Sequence, residues 1–273
     1  MTKHVVVTGT STGLGREIAR AAQHRGWAVL GTVRREADRA ELEAAGITTA
    51  ICDVTEATSV GAFAEEAGAW CDGRLDALVN NAGTAHPGPV EEQPIDDIRA
   101  QFEVNVFGQV AVTQQLCDPL RAARGRVLMV SSSSAAAVAP GLGAYCASKL
   151  ALEGFARALD LELRPAGVSV HVLRPGSFAT RIWDTSLARV DDYERSGSRY
   201  VDLGEKVRDF AVDPGRLRDP AALAEVAVDV LDARSPRFIT KCPHDAENNF
   251  VEMMPWWAYR LVISRLLDGT AGR

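Results

Sequence analysis

Tyr145 and Lys149 stand four residues apart in A-Y-C-A-S-K, a spacing that puts both side chains on one face of a helix. Free tyrosine is a poor base near neutrality because its pKa is about 10. A neighbouring ammonium favours the phenolate, so the pair is a candidate proton-transfer couple in which Lys149 lowers the pKa of Tyr145. A second reactive stretch opens the chain, H-V-V-V-T-G-T-S-T-G-L-G-R-E at residues 4–17. Read as G-x-S-x-G from Gly9 to Gly13, it makes Ser11 the nucleophile of a hydrolase. Read as T-G-x-x-x-G-x-G from Thr8 to Gly15, it is a turn on which a nucleotide phosphate meets backbone amides. Either reading needs a strand, a turn and a helix.

Hydrophobic patterning supplies those elements. Short runs rich in Val, Ile and Leu fall at Val5–Thr8, Ala28–Val33, Ile47–Cys52, Leu75–Asn80, Val127–Ser131 and Val168–Leu173, with a weaker one at Arg237–Thr240. Helical patterns centre near 15–25, 57–70, 97–121 and 146–163. Runs apolar on both faces suit strands covered on both sides, which predicts an α/β fold: a doubly wound parallel sheet of about seven strands. Residues 181–219 interrupt the rhythm with dense charge around Trp183, Leu187, Tyr193, Tyr200 and Phe210, and are expected to form a substrate lid. In such sheets ligands sit beyond the carboxyl ends of the strands, so functional residues should follow each run.

They do. After the first run comes the glycine turn, after the third Asp53-Val54, after the fourth N-N-A-G at Asn80–Gly83, after the fifth the serines 131–134, and after the sixth R-P-G-S-F-A-T at 174–180. This ordered set, T-G-x-x-x-G-x-G, N-N-A-G, a serine, Y-x-x-x-K and P-G-x-x-x-T, resembles the short-chain dehydrogenase/reductase family, in its short single-domain branch. The Tyr145 helix and the aromatic C-terminal segment look most like the hydroxysteroid and retinol dehydrogenase group. The resemblance covers roughly residues 3–180 and implies one Rossmann-type domain over 1–273. It also implies hydride transfer between a nicotinamide cofactor and a carbonyl or alcohol.

Under that resemblance Gly9, Ser11, Thr12, Gly13, Leu14 and Gly15 form the phosphate cradle, Asp53 with Val54 meets the adenine, and Asn81, Ala82 and Gly83 support the central strand and the ribose. A purely structural role for Asp53 would be a helix N-cap, which Thr55 could provide instead. Ser132, thirteen residues before Tyr145, would hold the substrate oxygen, with Ser131 and Ser133 as one-residue alternatives. Tyr145 is the general acid/base, and Lys149 also binds the nicotinamide ribose. Asn105 in V-N-V-F-G resembles the family's water-relay asparagine, while Pro175, Gly176 and Thr180 would meet the nicotinamide end. NAD-preferring sites carry an acid at the end of the second strand. Here Val33 is followed by Arg34 and Arg35, cations at a helix start where the dipole favours anions. A 2′-phosphate would account for them, so NADP(H) is favoured over NAD(H), with Arg34 and Ser11 on that phosphate.

A net charge of −6 with no basic run argues against a nucleic-acid surface. Five scattered cysteines without C-x-x-C suit a reducing compartment, and a cytoplasmic location is expected. In C-P-H-D-A-E, residues 242–247, the metal-ligand types lack a second half, and no metal is expected. His86 is a loop residue or a substrate contact. P-W-W-A-Y-R-L-V-I-S-R-L-L, within 250–268, aligns Trp256, Tyr259, Ile263 and Leu266 on one amphipathic face that docks on protein or, less readily, on a membrane surface. A homo-oligomer, dimer or tetramer, formed through the two longest helices is expected from the resemblance. The lid and the C-terminal aromatics lean towards an apolar substrate. A nucleotide-binding redox sensor on the same fold and the Ser11 hydrolase are the competing classes.

Overall fold

The computed structural model describes residues 2–179, 182, 186–188, 190–191, 197–212, 217–242 and 253–268. Seven strands form one parallel sheet: β1 (His4–Val7), β2 (Ala28–Val33), β3 (Thr48–Ile51), β4 (Ala77–Asn80), β5 (Arg126–Val130), β6 (Ser169–Pro175) and β7 (Ile239–Cys242), in the order β3-β2-β1-β4-β5-β6-β7. The order reverses direction beside β1, so β1 and β4 flank the crevice expected at a topological switch point. Val5 and Val7 point into one apolar layer and Val6 into the other, all fully buried, which is why these strands read as unbroken apolar runs. Where the seventh strand was expected two residues earlier, β7 pairs Val172 with Ile239 and Pro175 with Cys242.

Helices α1 (Gly13–His24), α2 (Arg39–Ala44) and α3 (Ala57–Trp70) join the first four strands. The pattern read as one helix over 97–121 is broken: α4 (Ile95–Phe102), a π-helical segment Glu103–Gly108, α5 (Gln109–Gln115) and α6 (Cys117–Ala123). The π turn fits where Gly108 packs on Val54, since a Cβ there would lie 2.7 Å from Val54 Cγ2. Helix α7 (Gly143–Leu163) is continuous and buries Cys146, Lys149, Leu152, Glu153 and Ala156 along one side. Beyond β6 comes α8 (Val201–Val212), and a bridge joins Phe178 to Arg218. Helix α9 (Pro220–Asp232), capped by Asp219 and opened by Pro220, packs on α1. Helix α10 (Trp256–Asp268) follows β7. Its Tyr259 hydroxyl donates to Val138 O at 2.7 Å, whereas Trp256, expected on the docking face, is 66% exposed. Leu266 lies outside the residues whose side chains are described.

Candidate active site

The glycine turn is stitched to its neighbours by threonines and Asn81. Gly9 and Gly13 both adopt positive φ, 70° and 61°, a conformation that disfavours side chains. Gly15 has a different constraint: a Cβ there would lie 2.3 Å from Gly9 O and 2.4 Å from Asn81 Nδ2. Thr8 Oγ1 accepts from the amides of Asn81 (2.9 Å) and Ala82 (3.0 Å), and Asn81 Nδ2 donates to Thr8 O (2.9 Å) and Gly9 O (3.2 Å). Thr32 Oγ1 receives Gly9 N–H at 3.1 Å, and buried Thr10 donates to Thr32 O at 3.1 Å. The cradle is thus a backbone surface at the start of α1, with Thr12 in extended conformation at the cap position and no side-chain cap bond. Its shape fits a dinucleotide phosphate: amides at a helix start, and two turns that a side chain would strain.

Around this turn the charged rim separates into two roles. Arg35 is bound bidentately by Asp38 (3.0 and 2.8 Å), so its charge at the turn leading to α2 is explained within the protein. Arg34 is exposed and has no ion pair among the described residues. Arg16, which sequence reasoning passed over, donates to Ser11 O and pairs with Glu41 at 2.5 Å, adding a second cation at the cradle's edge. Its signal was a basic residue directly after the glycine motif. Asp53 accepts from Thr55 N (3.0 Å) and Thr55 Oγ1 (2.7 Å). Burial pushes its carboxyl up, but these bonds and the Arg34 charge bring it below the usual range. Thr55, expected as the alternative N-cap of α3, turns to Asp53 instead, and Glu56 holds the cap position without a side-chain bond. Leu14 and Val54 turn their side chains towards the apolar layers, leaving backbone to the crevice.

Tyr145, Lys149 and Ser132 converge beyond β5. Ser132, 8% exposed, opens a short 3₁₀ turn (Ser133–Ala135) and accepts from Ser134 N at 3.1 Å. Its hydroxyl also hydrogen-bonds the Tyr145 phenol. Ser131 points the other way, donating to Glu153 Oε1 at 2.8 Å. Lys149, 4% exposed, lies with Nζ 5.9 Å from the Tyr145 ring centroid and donates to Val130 O at 2.9 Å. Burial pulls its ammonium down to about 8, against the carboxylate of Glu153, which favours it. Glu153 is itself clamped by Arg174, Nε to Oε1 and Nη2 to Oε2 both at 2.7 Å. In the protein alone burial, the largest influence, pushes the Tyr145 hydroxyl up to about 12, and only the Ser132 bond opposes it, whereas the expected lowering combines Lys149 with the positive charge of an oxidised nicotinamide.

Asn105 sits in the π segment, fully buried. Its Oδ1 accepts from Thr84 N (2.8 Å), and its Nδ2 donates to Thr84 O (2.9 Å) and Ser148 Oγ (3.0 Å). Ser148 in turn donates to Tyr145 O at 2.7 Å, so Asn105 ties the loop after β4 to the helix turn that carries Tyr145. Pro175 is buried at the end of β6 and Gly176 N donates to Cys242 O at 2.8 Å; Thr180 lies outside the described residues. His86 is tethered to α4, with Nδ1 3.2 Å from Asp97 O and its amide on Gln101 Oε1. Leu142 and Cys146 of the Tyr145 helix region meet Val190 and Val207 in the segment after β6, with Leu187, Ala139 and Tyr145 packed alongside. Trp183 and Tyr193, and the Phe210 side chain, are outside the described residues. Among the described residues, no grouping of three His, Cys, Asp or Glu could hold a metal, and no helix is long and apolar enough to cross a membrane.

Comparison with known proteins agrees with this geometry. The short chain dehydrogenase family profile matches residues 3–190. The chain is 35% identical over 234 residues to the uncharacterized oxidoreductase YusZ of Bacillus subtilis, covering 82% of each. It is 35% identical over 201 residues to the NADPH-dependent 3-dehydrocapnine reductase of Ornithobacterium rhinotracheale, 70% of this chain and 71% of that one. Among solved structures, a short-chain dehydrogenase from Streptomyces avermitilis superposes with a TM-score of 0.79 over 100% of this chain and 98% of its own, at 27% identity. With that profile spanning more than half of its length and relatives at 35% identity, this chain is an oxidoreductase of the short-chain dehydrogenase/reductase family.

Proposed function

We propose that this oxidoreductase transfers hydride between NADP(H) and a carbonyl or secondary alcohol of a small, apolar substrate. Tyr145 exchanges the oxygen proton. The carrying observation is the partly buried Tyr145 phenol, hydrogen-bonded to Ser132 and packed beside Lys149 beneath an apolar lid. The nicotinamide cofactor, when bound, supplies or accepts the hydride. Arg34, together with Ser11 and Arg16 at the cradle's edge, would hold its 2′-phosphate. The Gly9–Gly15 turn would hold the pyrophosphate, Asp53 the adenine amine, and Asn81, Ala82, Gly83 and Lys149 the ribose end. Pro175 and Gly176 border the nicotinamide position, with Thr180 as the carboxamide contact. The NADPH dependence of the dehydrocapnine reductase supports the cofactor reading.

A phenol held near 12 stays protonated across the neutral range and is a proton donor, which suits carbonyl reduction. Ser132 holds the substrate oxygen against the phenol and stabilises charge that develops there. Lys149, with its ammonium near 8, supplies positive charge below that pH and loses it above, so the reductive rate falls as pH rises through about 8. Exposed Phe107, Leu150, Phe155 and Leu161, on the π segment and α7, form the apolar surface through which copies of the chain would assemble as a dimer or tetramer.

The test is an NADPH-oxidation screen over ketones and aldehydes, run in parallel with NADH. Tyr145→Phe should keep NADPH binding while turnover falls about 10³-fold. A Tyr145→Phe variant at near-native rate overturns the proton-transfer role. Tight NADPH binding with no turnover of any carbonyl would favour a redox sensor.

A further inference from the structure

At the opposite edge of the sheet from Ser132 and Tyr145, β5 and β6 begin beside an open cleft of about 220 Å³. Its charged lining is Arg126, Arg164 and Arg234 against a single carboxylate, Asp160, with His171 and Ser169 on the β6 side. Phe238 completes the wall, and Arg157 lies over its ring, 5.6 Å from the centroid. This concentration of guanidinium occurs in a chain whose net charge is −6.

The one carboxylate is already engaged. Asp160 Oδ1 accepts Val170 N–H at 3.2 Å, and Oδ2 accepts from Arg164. Arg126 caps the end of α9, donating to Leu231 O (2.8 Å) and Ala233 O (2.9 Å), while its buried Nε has no hydrogen-bond partner. Arg234 is exposed and makes no ion pair among the described residues. His171 is 7% exposed; its Nδ1 lies 3.0 Å from Arg237 O and its Nε2 3.1 Å from Ser169 Oγ. A carbonyl can only accept, so Nδ1 carries the proton and Nε2 accepts the serine hydroxyl. Burial and then the Arg126 and Arg164 charges keep this imidazole below its usual pKa, against the Arg237 carbonyl and Asp160, which favour the imidazolium.

We propose that this cleft is a binding site for a phosphate group, separate from the cofactor cradle. Guanidinium groups from β5, the end of α7 and the turn after α9 converge on it with a surplus of two positive charges along its lining. The ligand's negative charge answers that surplus, and the Ser235 hydroxyl supplies a further donor. The Phe238 wall offers an apolar face to the organic part of a phosphomonoester.

The test is a titration of the full-length protein with inorganic phosphate and, separately, phenyl phosphate, at constant ionic strength, followed by amide and histidine-ring NMR. Binding should give saturable shifts at Ser169, His171, Arg234 and Ser235 and raise the pKa of His171, since an anion favours the imidazolium. Arg234→Ala, a surface change that the fold should tolerate, should weaken binding about tenfold. Tighter binding of phenyl phosphate identifies an organic phosphomonoester as the ligand, and equal affinities identify free phosphate. Shifts confined to Gly9–Gly15, equal shifts with chloride, or unchanged affinity in Arg234→Ala would each overturn the site.

Discussion

The two halves of the sheet hold their functional groups by different physical means. Around β1–β3 the work is done by backbone and small side chains: Gly9, Gly13 and Gly15 shape the turn, Thr8, Thr10 and Thr32 stitch it, and the charges of Arg34 and Arg35 stay in water. Around β4–β6 the charges go inside. Lys149 is 4% exposed and Glu153 1%, and the Glu153–Arg174 pair sits one helical turn below the lysine with Ser131 on its other flank. A backbone cradle has no buried charge to compensate, but it has no room for added atoms. A buried ionic cluster tolerates no loss of a partner, because the remaining charge is left without water. The first half should therefore be sensitive to bulk and the second to charge.

Glu153→Gln should show the largest effect of that contrast. It removes the buried carboxylate that Arg174 clamps bidentately, and urea unfolding should show a loss of about 3–5 kcal/mol. A loss below about 1 kcal/mol would mean that the β4–β6 half does not depend on buried charge. Gly15→Ala comes next. Its methyl meets Gly9 O and Asn81 Nδ2 at sub-contact distance, so stability should fall by about 1–3 kcal/mol, with weakened NADPH binding in calorimetry. An unchanged melt would show that the cradle can relax. Arg34→Ala should weaken NADPH binding about tenfold and leave NADH nearly unchanged, the loss of one charge-assisted contact. Equal losses for both cofactors would remove Arg34 from the 2′-phosphate. The smallest effect belongs to Arg35→Ala, which breaks an exposed pair with Asp38 and should change stability by no more than about 1 kcal/mol.

The sequence by itself determined the parallel doubly wound sheet, because strands buried on both faces must be apolar throughout. It also determined the positions of the glycine turn and of Tyr145 and Lys149, because close approach admits only glycine and a helix repeats at a fixed period. Local pattern carries such facts. It could not say which way a side chain turns once distant elements meet. Ser131 and Ser132 are neighbours on one strand end; only the packing of Glu153 against Arg174 draws the first away and leaves the second to Tyr145. The break at Asn105 depends on Gly108 meeting Val54, and the fate of Arg35 on Asp38 turning back to it. The sign of the Tyr145 shift was decided in the same way. The lysine four residues along was legible, but in the protein alone burial decides the shift, and burial is the sum of contacts among α7, Ala139, Leu142, Leu187, Val190 and Val207 that no single segment encodes.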